Sequence, residues 1–250
     1  MRGVNNLDGN YFDLGGHTAF HKILFGNNEV PVACTGDIRT LIDYKTYKTV
    51  DTSNAKFISL FKGCTELTSA PALPATTLAD YCYSRMFSGC ISLENAPALP
   101  ATTLAANCYQ SMFWCCTSLT EAPALPATTL ADGCYYQMFL GCTSLVNAPA
   151  LPATTLAARC YRNMFSNCTS LETAPELPAT TLAEECYREM FIHCTYLNKI
   201  TMLATDISAS YCLDEWVKGV ATSGTFTKAS SMTSLPTGDS GIPAGWTVNP

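Results

Sequence analysis

The feature that most constrains this chain is a period of 26 residues, kept without a gap over six copies. Cys64, Cys90, Cys116, Cys142, Cys168 and Cys194 form one column, and Cys82, Cys108, Cys134, Cys160, Cys186 and Cys212 a second. The phenylalanines from Phe61 to Phe191 and the leucines from Leu67 to Leu197 keep the same register. The unit reads C-T-S-L-x-x-A-P-A-L-P-A-T-T-L-A-x-x-C-Y-x-x-M-F-x-x. A unit this short cannot bury its apolar faces alone, so the copies must stack into a solenoid.

Comparison between copies also separates inside from outside. Asp80-Tyr81, Ala106-Asn107, Asp132-Gly133, Ala158-Arg159 and Glu184-Glu185 occupy one place in successive units. Positions that vary so freely are solvated, and those that never vary pack. Leu93, Ala96 and Ala98 fit the inward side of a short strand, with Asn95, Pro97 and Leu99 outward. Pro97 and its equivalents remove one ladder donor per unit, which limits each strand to a few residues. Thr76-Thr77 ahead of Leu78, with Asp80 three places on, reads as a helix N-cap. From Leu78 to Phe87 the apolar residues then fall on one helical face, and the pairs 80–81, 84–85 and 88–89 face water.

The expected fold class is therefore α/β, with about six 26-residue strand–helix units, a parallel sheet and β caps at the ends. Strands stack about 4.8 Å apart and packed helices roughly 8–10 Å, which would place the sheet on the concave face. Residues 1–56 read as an N-terminal β cap with strand-like runs at Ala19 to Phe25 and Glu29 to Cys34. Residues 57–212 are the repeats. Residues 213–250 read as a C-terminal cap, with an amphipathic helix over Leu213 to Val220 and a last strand at Gly224 to Lys228.

Composition narrows the function classes. Of 250 residues, 48% are hydrophobic, enough for a core, and only 14% are charged. A net charge of -6 disfavours nucleic acid and anionic membranes as partners. No apolar run approaches the roughly 18 residues of a membrane span, so no membrane insertion is expected. The chain as given shows no signal peptide, since no basic start leads into an apolar stretch.

Little in the sequence points to bond-making chemistry. Twelve of the fourteen cysteines are part of the repeat and read as buried thiols packing as small hydrophobes. Helix spacing would keep the Cys82 column from pairing with itself, whereas the disulfide state of the Cys64–Cys194 column stays open. No paired C-x-x-C supports zinc. Cys115 breaks the pattern at an outward place. His17 and His21 lie four apart in a turn-like stretch, and His193 beside Cys194 resembles half of a thiol nucleophile pair whose members point apart. No catalytic residue, metal site or cofactor is expected.

The remaining candidate is a surface. Ser69, Asn95, Glu121, Asn147, Thr173 and Lys199 form a polar, varied column on the outward strand positions, beside prolines and the leucines Leu73 to Leu177. Such a stripe suits an extended ligand. The tyrosines Tyr83 to Tyr187 never vary, which favours packing over sugar stacking.

Units of the form M-F-x-x-C-T-S-L-x-x-A-P-A-L-P resemble the BspA-like leucine-rich repeats of surface proteins from gut and oral anaerobic bacteria. The resemblance covers about Phe57 to Cys212, and the tail from Cys212 through Val248 is similar to the closing segment of such proteins. It implies a non-enzymatic recognition or adhesion protein, extracellular or at the cell surface, whose partner is a host or bacterial surface protein or glycan. A phage virion or envelope component, such as a fibre or decoration protein, is the alternative. A thiol-dependent enzyme is the contrasting class. The oligomeric state is not legible.

Overall fold

The computed structural model describes residues 31–41, 45–49 and 56–250. Successive coils advance by parallel pairing at the repeat period: Ser69 pairs with Asn95, Asn95 with Glu121, and so on to Lys199. The expected run from Ala19 to Phe25 lies outside the described residues, as do His17 and His21.

The helices expected on the other side are absent among the described residues. In their place each coil runs through overlapping β-turns, shown by residues 107–116. The N–H groups of Asn107, Tyr109, Ser111, Phe113 and Cys115 donate to carbonyls one coil on, those of Asp132, Cys134, Tyr136, Met138 and Leu140, at 2.8–3.0 Å. Those of Cys108, Gln110, Met112, Trp114 and Cys116 donate three residues back, at 3.0–3.3 Å. Every third position of the turns 105–108, 109–112 and 113–116 is left-handed, with φ of 54° at Asn107, 52° at Ser111 and 56° at Cys115. Type II turns carry a positive φ at that place. An α-helix would bond each N–H four residues back and tolerate no such run.

The physical reason is spacing. Coils held by parallel pairing on one side stack about 4.8 Å apart, and helices cannot approach that closely. A ribbon of turns can, because alternate N–H groups reach directly to the next coil. All backbone donors of the segment are thereby satisfied. With hydrogen bonds setting the spacing on both sides, the mismatch that predicted a concave sheet disappears, and strand side and turn side are the apt terms.

Three further expectations change with the helices. Asp80 and Asp132 cap no helix: their Oδ1 atoms accept from the N–H of Ala106 at 3.0 Å and of Ala158 at 3.2 Å, one coil on. Leu213 to Val220 continues the turn ribbon, with positive φ at Tyr211, Glu215 and Gly219. Within the outward pairs, Ser84 and Ser88 are buried while Tyr81 and Arg85 are exposed.

The core is two aromatic stacks. Phe61 to Phe191 stack with centroids 5.5–5.7 Å apart. Phe57 heads the tyrosine stack, spaced 5.8–6.1 Å down to Tyr187. The leucine column from Leu67 to Leu197 is fully buried beside them.

The strands are shorter than expected. The middle coils are joined through single paired residues, and extended strands occur towards the ends. β1 (Val32–Ala33) pairs parallel with β2 (Leu67–Ser69). β3 (Lys199–Met202), β4 (Thr225–Lys228) and β5 (Thr247–Asn249) form a parallel sheet in that order. Strict alternation fails past each proline: Leu99 is buried and Ala98 exposed, the reverse of the expectation, and the whole column Leu73 to Leu177 points inward. With one ladder position ahead of the proline, the next paired place only at the threonines (Thr77 with Thr103, Thr129 with Thr155), and a proline that cannot donate, nothing holds the two-residue period just beyond Ala96. At the far end Trp216 meets Phe191 at 6.2 Å and Phe226 edge-on at 6.1 Å, closing the phenylalanine stack. Its Nε1 donates to the Gly241 carbonyl at 2.8 Å.

Candidate functional site

On the strand side the predicted residues do form one line. Ser69, Asn95, Glu121, Asn147, Thr173 and Lys199 are the paired positions of six consecutive coils. Ser69 is half-buried and the other five are exposed. Because the backbone of each is tied to its neighbours, the side chains form a fixed ladder of donors, acceptors and charges at about the 4.8 Å strand spacing.

Sequence reasoning missed the line beside it. Glu94, Thr120, Val146, Glu172 and Asn198 are also exposed, so the stripe is two residues wide. Both positions of the x-x in the repeat unit vary between copies, and that was the available signal. The apolar flank also differs from expectation, since the leucines lie inside. Alanines and prolines from Ala96 to Pro126, with the edge of the buried Leu99 at the floor, line an open groove of about 400 Å³ next to Asn95 and Glu121.

The cysteines are all thiols, twelve of them buried. In the first column each thiol reaches back to the preceding coil: Cys90, Cys116, Cys142, Cys168 and Cys194 donate to the carbonyls of Phe61, Phe87, Phe113, Phe139 and Phe165 at 3.0–3.1 Å. Burial pushes the Cys194 thiol up to about 12. His193 is exposed with φ of 60°, and a Cβ at Gly219 would lie 2.7 Å from its Nδ1, so the ring leans onto the next coil while Cys194 faces the core. Cys115 is half-buried, and its Sγ lies over Gly141. Burial raises its thiol as well. The tyrosine column is buried in the core. Among the described residues no cluster of His, Cys, Asp and Glu could hold a metal ion.

The turn side carries a charge cluster. Glu185 is buried and accepts from Arg159 Nε at 2.6 Å, Arg162 Nη1 at 2.7 Å and Arg188 Nη1 at 3.0 Å. Burial alone would raise its carboxyl, and the three guanidinium groups outweigh that and hold it below the usual glutamate value. Arg188 extends the network to Glu189 and Asp214. Arg162 also lies over the Tyr136 ring at 5.7 Å and Arg188 over Tyr211 at 5.4 Å. The cations here are consumed by their own carboxylates.

No helix among the described residues is long and apolar enough to cross a membrane. Comparison with protein-family models, with curated proteins and with solved structures finds no match to this chain.

Proposed function

We propose that this chain is a non-enzymatic recognition protein of a bacterial cell surface, binding a host or bacterial protein or glycan through its strand-side stripe. The observation that carries the reading is the ladder Ser69, Asn95, Glu121, Asn147, Thr173 and Lys199: identical backbone positions, exposed side chains, and a different residue in nearly every coil. A rigid frame with varied chemistry at fixed intervals is what an extended ligand can read. The neighbouring groove of alanines and prolines adds apolar area with little side-chain entropy to lose. Phe57 to Cys212, the span that resembles BspA-like surface repeats, contains the whole stripe.

The test is a binding screen against matrix proteins and glycans with three forms of the chain. The unaltered chain should capture a partner. Asn95, Glu121 and Asn147 replaced together by Ala should abolish capture without lowering the melting temperature. Thr128, Thr154 and Thr180 replaced by Ala, at exposed places away from the stripe, should leave it intact. Capture lost only in the threonine form, or equal in all three, would remove the stripe as the site.

A further inference from the structure

The turn side holds a second surface, separate from the stripe and different in chemistry. Lys62, Arg85, Ser111, Trp114, Gln137 and Leu140 line an open groove of about 440 Å³ across four consecutive coils. Trp114 is 40% exposed, whereas Trp216 and Trp246 are buried. The places equivalent to Trp114 in the other coils hold Lys62, Ser88, Leu140, Ser166, Ile192 and Lys218, so no packing rule of the repeat demands an aromatic there.

Its arginine differs from the other described arginines. Arg39, Arg159, Arg162 and Arg188 are each in an ion pair. Arg85 and Lys62 form none among the described residues, on a chain whose net charge is -6. An arginine and a lysine with no ion pair among the described residues, both lining a groove with an exposed indole, suit an anionic ring. Arg85, Ser111 and Gln137 occupy successive left-handed positions, with φ of 56°, 52° and 57°. Their N–H groups donate to the next coil at 2.8–2.9 Å, which fixes the direction of each side chain. Ser111 donates its hydroxyl to Gln137 Oε1 at 3.2 Å, leaving the Gln137 amide nitrogen to donate outward.

We propose that this groove binds an acidic saccharide, a pyranose carrying a carboxylate or a sulfate. The apolar C–H face of the sugar buries against the indole of Trp114 and the Leu140 side chain. Arg85 takes the anionic group through its planar fork, and Lys62 adds a second charge. Gln137 donates to a ring hydroxyl. This names a ligand class within the recognition reading above, but at a site that shares no residue with the stripe.

The test is isothermal titration of the full chain with a uronic acid trisaccharide, a sulfated disaccharide and a neutral trisaccharide. An acidic sugar should bind saturably and the neutral one at least tenfold more weakly. Comparison of the carboxylated and sulfated sugars identifies the anion preferred. Arg85→Gln and Trp114→Ala should each weaken binding at least tenfold with the melting temperature unchanged, and Lys62→Gln by several-fold. Trp114 fluorescence should respond in the unaltered chain, since the other tryptophans are buried. The stripe variant Asn95, Glu121 and Asn147 to Ala should bind the sugar normally, so failure here and failure of the stripe are read separately. Equal affinity for neutral and acidic sugars, no binding of either acidic sugar, or an unaffected Arg85→Gln chain would overturn the proposal.

Discussion

The thiol of Cys142 donates to the carbonyl of Phe113 at 3.1 Å, reaching back across 29 residues into the preceding coil. The same carbonyl accepts the N–H of Cys116 at 3.0 Å, so it serves the turn of its own coil and the side chain of the next. This double use explains why cysteine never varies in that column: the site is closed, small, and supplies an acceptor. Cys142→Ala removes the donor and leaves a void, and should destabilise by about 1–3 kcal/mol, measured by denaturant unfolding.

Thiol reactivity should follow burial. Under native, non-reducing conditions an aromatic disulfide reagent should modify the half-buried Cys34 and Cys115 quickly, and the twelve buried thiols only on unfolding. Fourteen thiols should then be counted in denaturant. A lower count would show bridges that the structure lacks.

Replacing Cys115 by Gly should stabilise the fold. Its φ of 56° disfavours any side chain, by roughly 1–2 kcal/mol, and glycine carries an entropy cost of roughly 0.5–1 kcal/mol in the unfolded chain. The net gain should be up to about 1 kcal/mol. Gly141→Ala, one coil on, should do the reverse, because φ there is 75° and the new Cβ would meet Cys115 Sγ at 2.9 Å.

The Glu185 cluster should show as a pH dependence. A carboxyl held below its unfolded value gives stability that is present above the ordinary glutamate range and lost as pH falls through the lowered value. Glu185→Gln leaves three guanidinium groups around a neutral amide and should cost about 1–3 kcal/mol at neutral pH. The gap between the two proteins should close as pH falls below the ordinary glutamate range. A gap that does not change with pH would show that the charge of Glu185 is not what stabilises it.

Much of this architecture was legible because the copies report on one another. The invariant columns of Cys, Phe and Leu are the core, and the column from Asn95 to Lys199 is exposed and aligned. What misled was the spacing of Cys82, Tyr83, Met86, Phe87 and Cys90. It suits one face of a helix, and it suits equally a ribbon that turns every four residues. The distinguishing signal was the column Gly63, Gly89, Gly141 and Gly219, with Asn167 among them, since those residue types favour a left-handed backbone. The groove at Trp114 was illegible for a different reason. It depends on residues of four coils meeting across the turn side, and a helix reading sets those coils too far apart.

The core claim is that alternate amides of the turn side bond to the next coil and not along a helix. Scalar couplings across hydrogen bonds, observed by NMR on the isotopically labelled chain, test it most directly. The Phe113 amide should couple to the Met138 carbonyl and the Ser111 amide to the Tyr136 carbonyl. Coupling of Phe113 to the carbonyl of Tyr109, four residues back, would show an α-helix and contradict it.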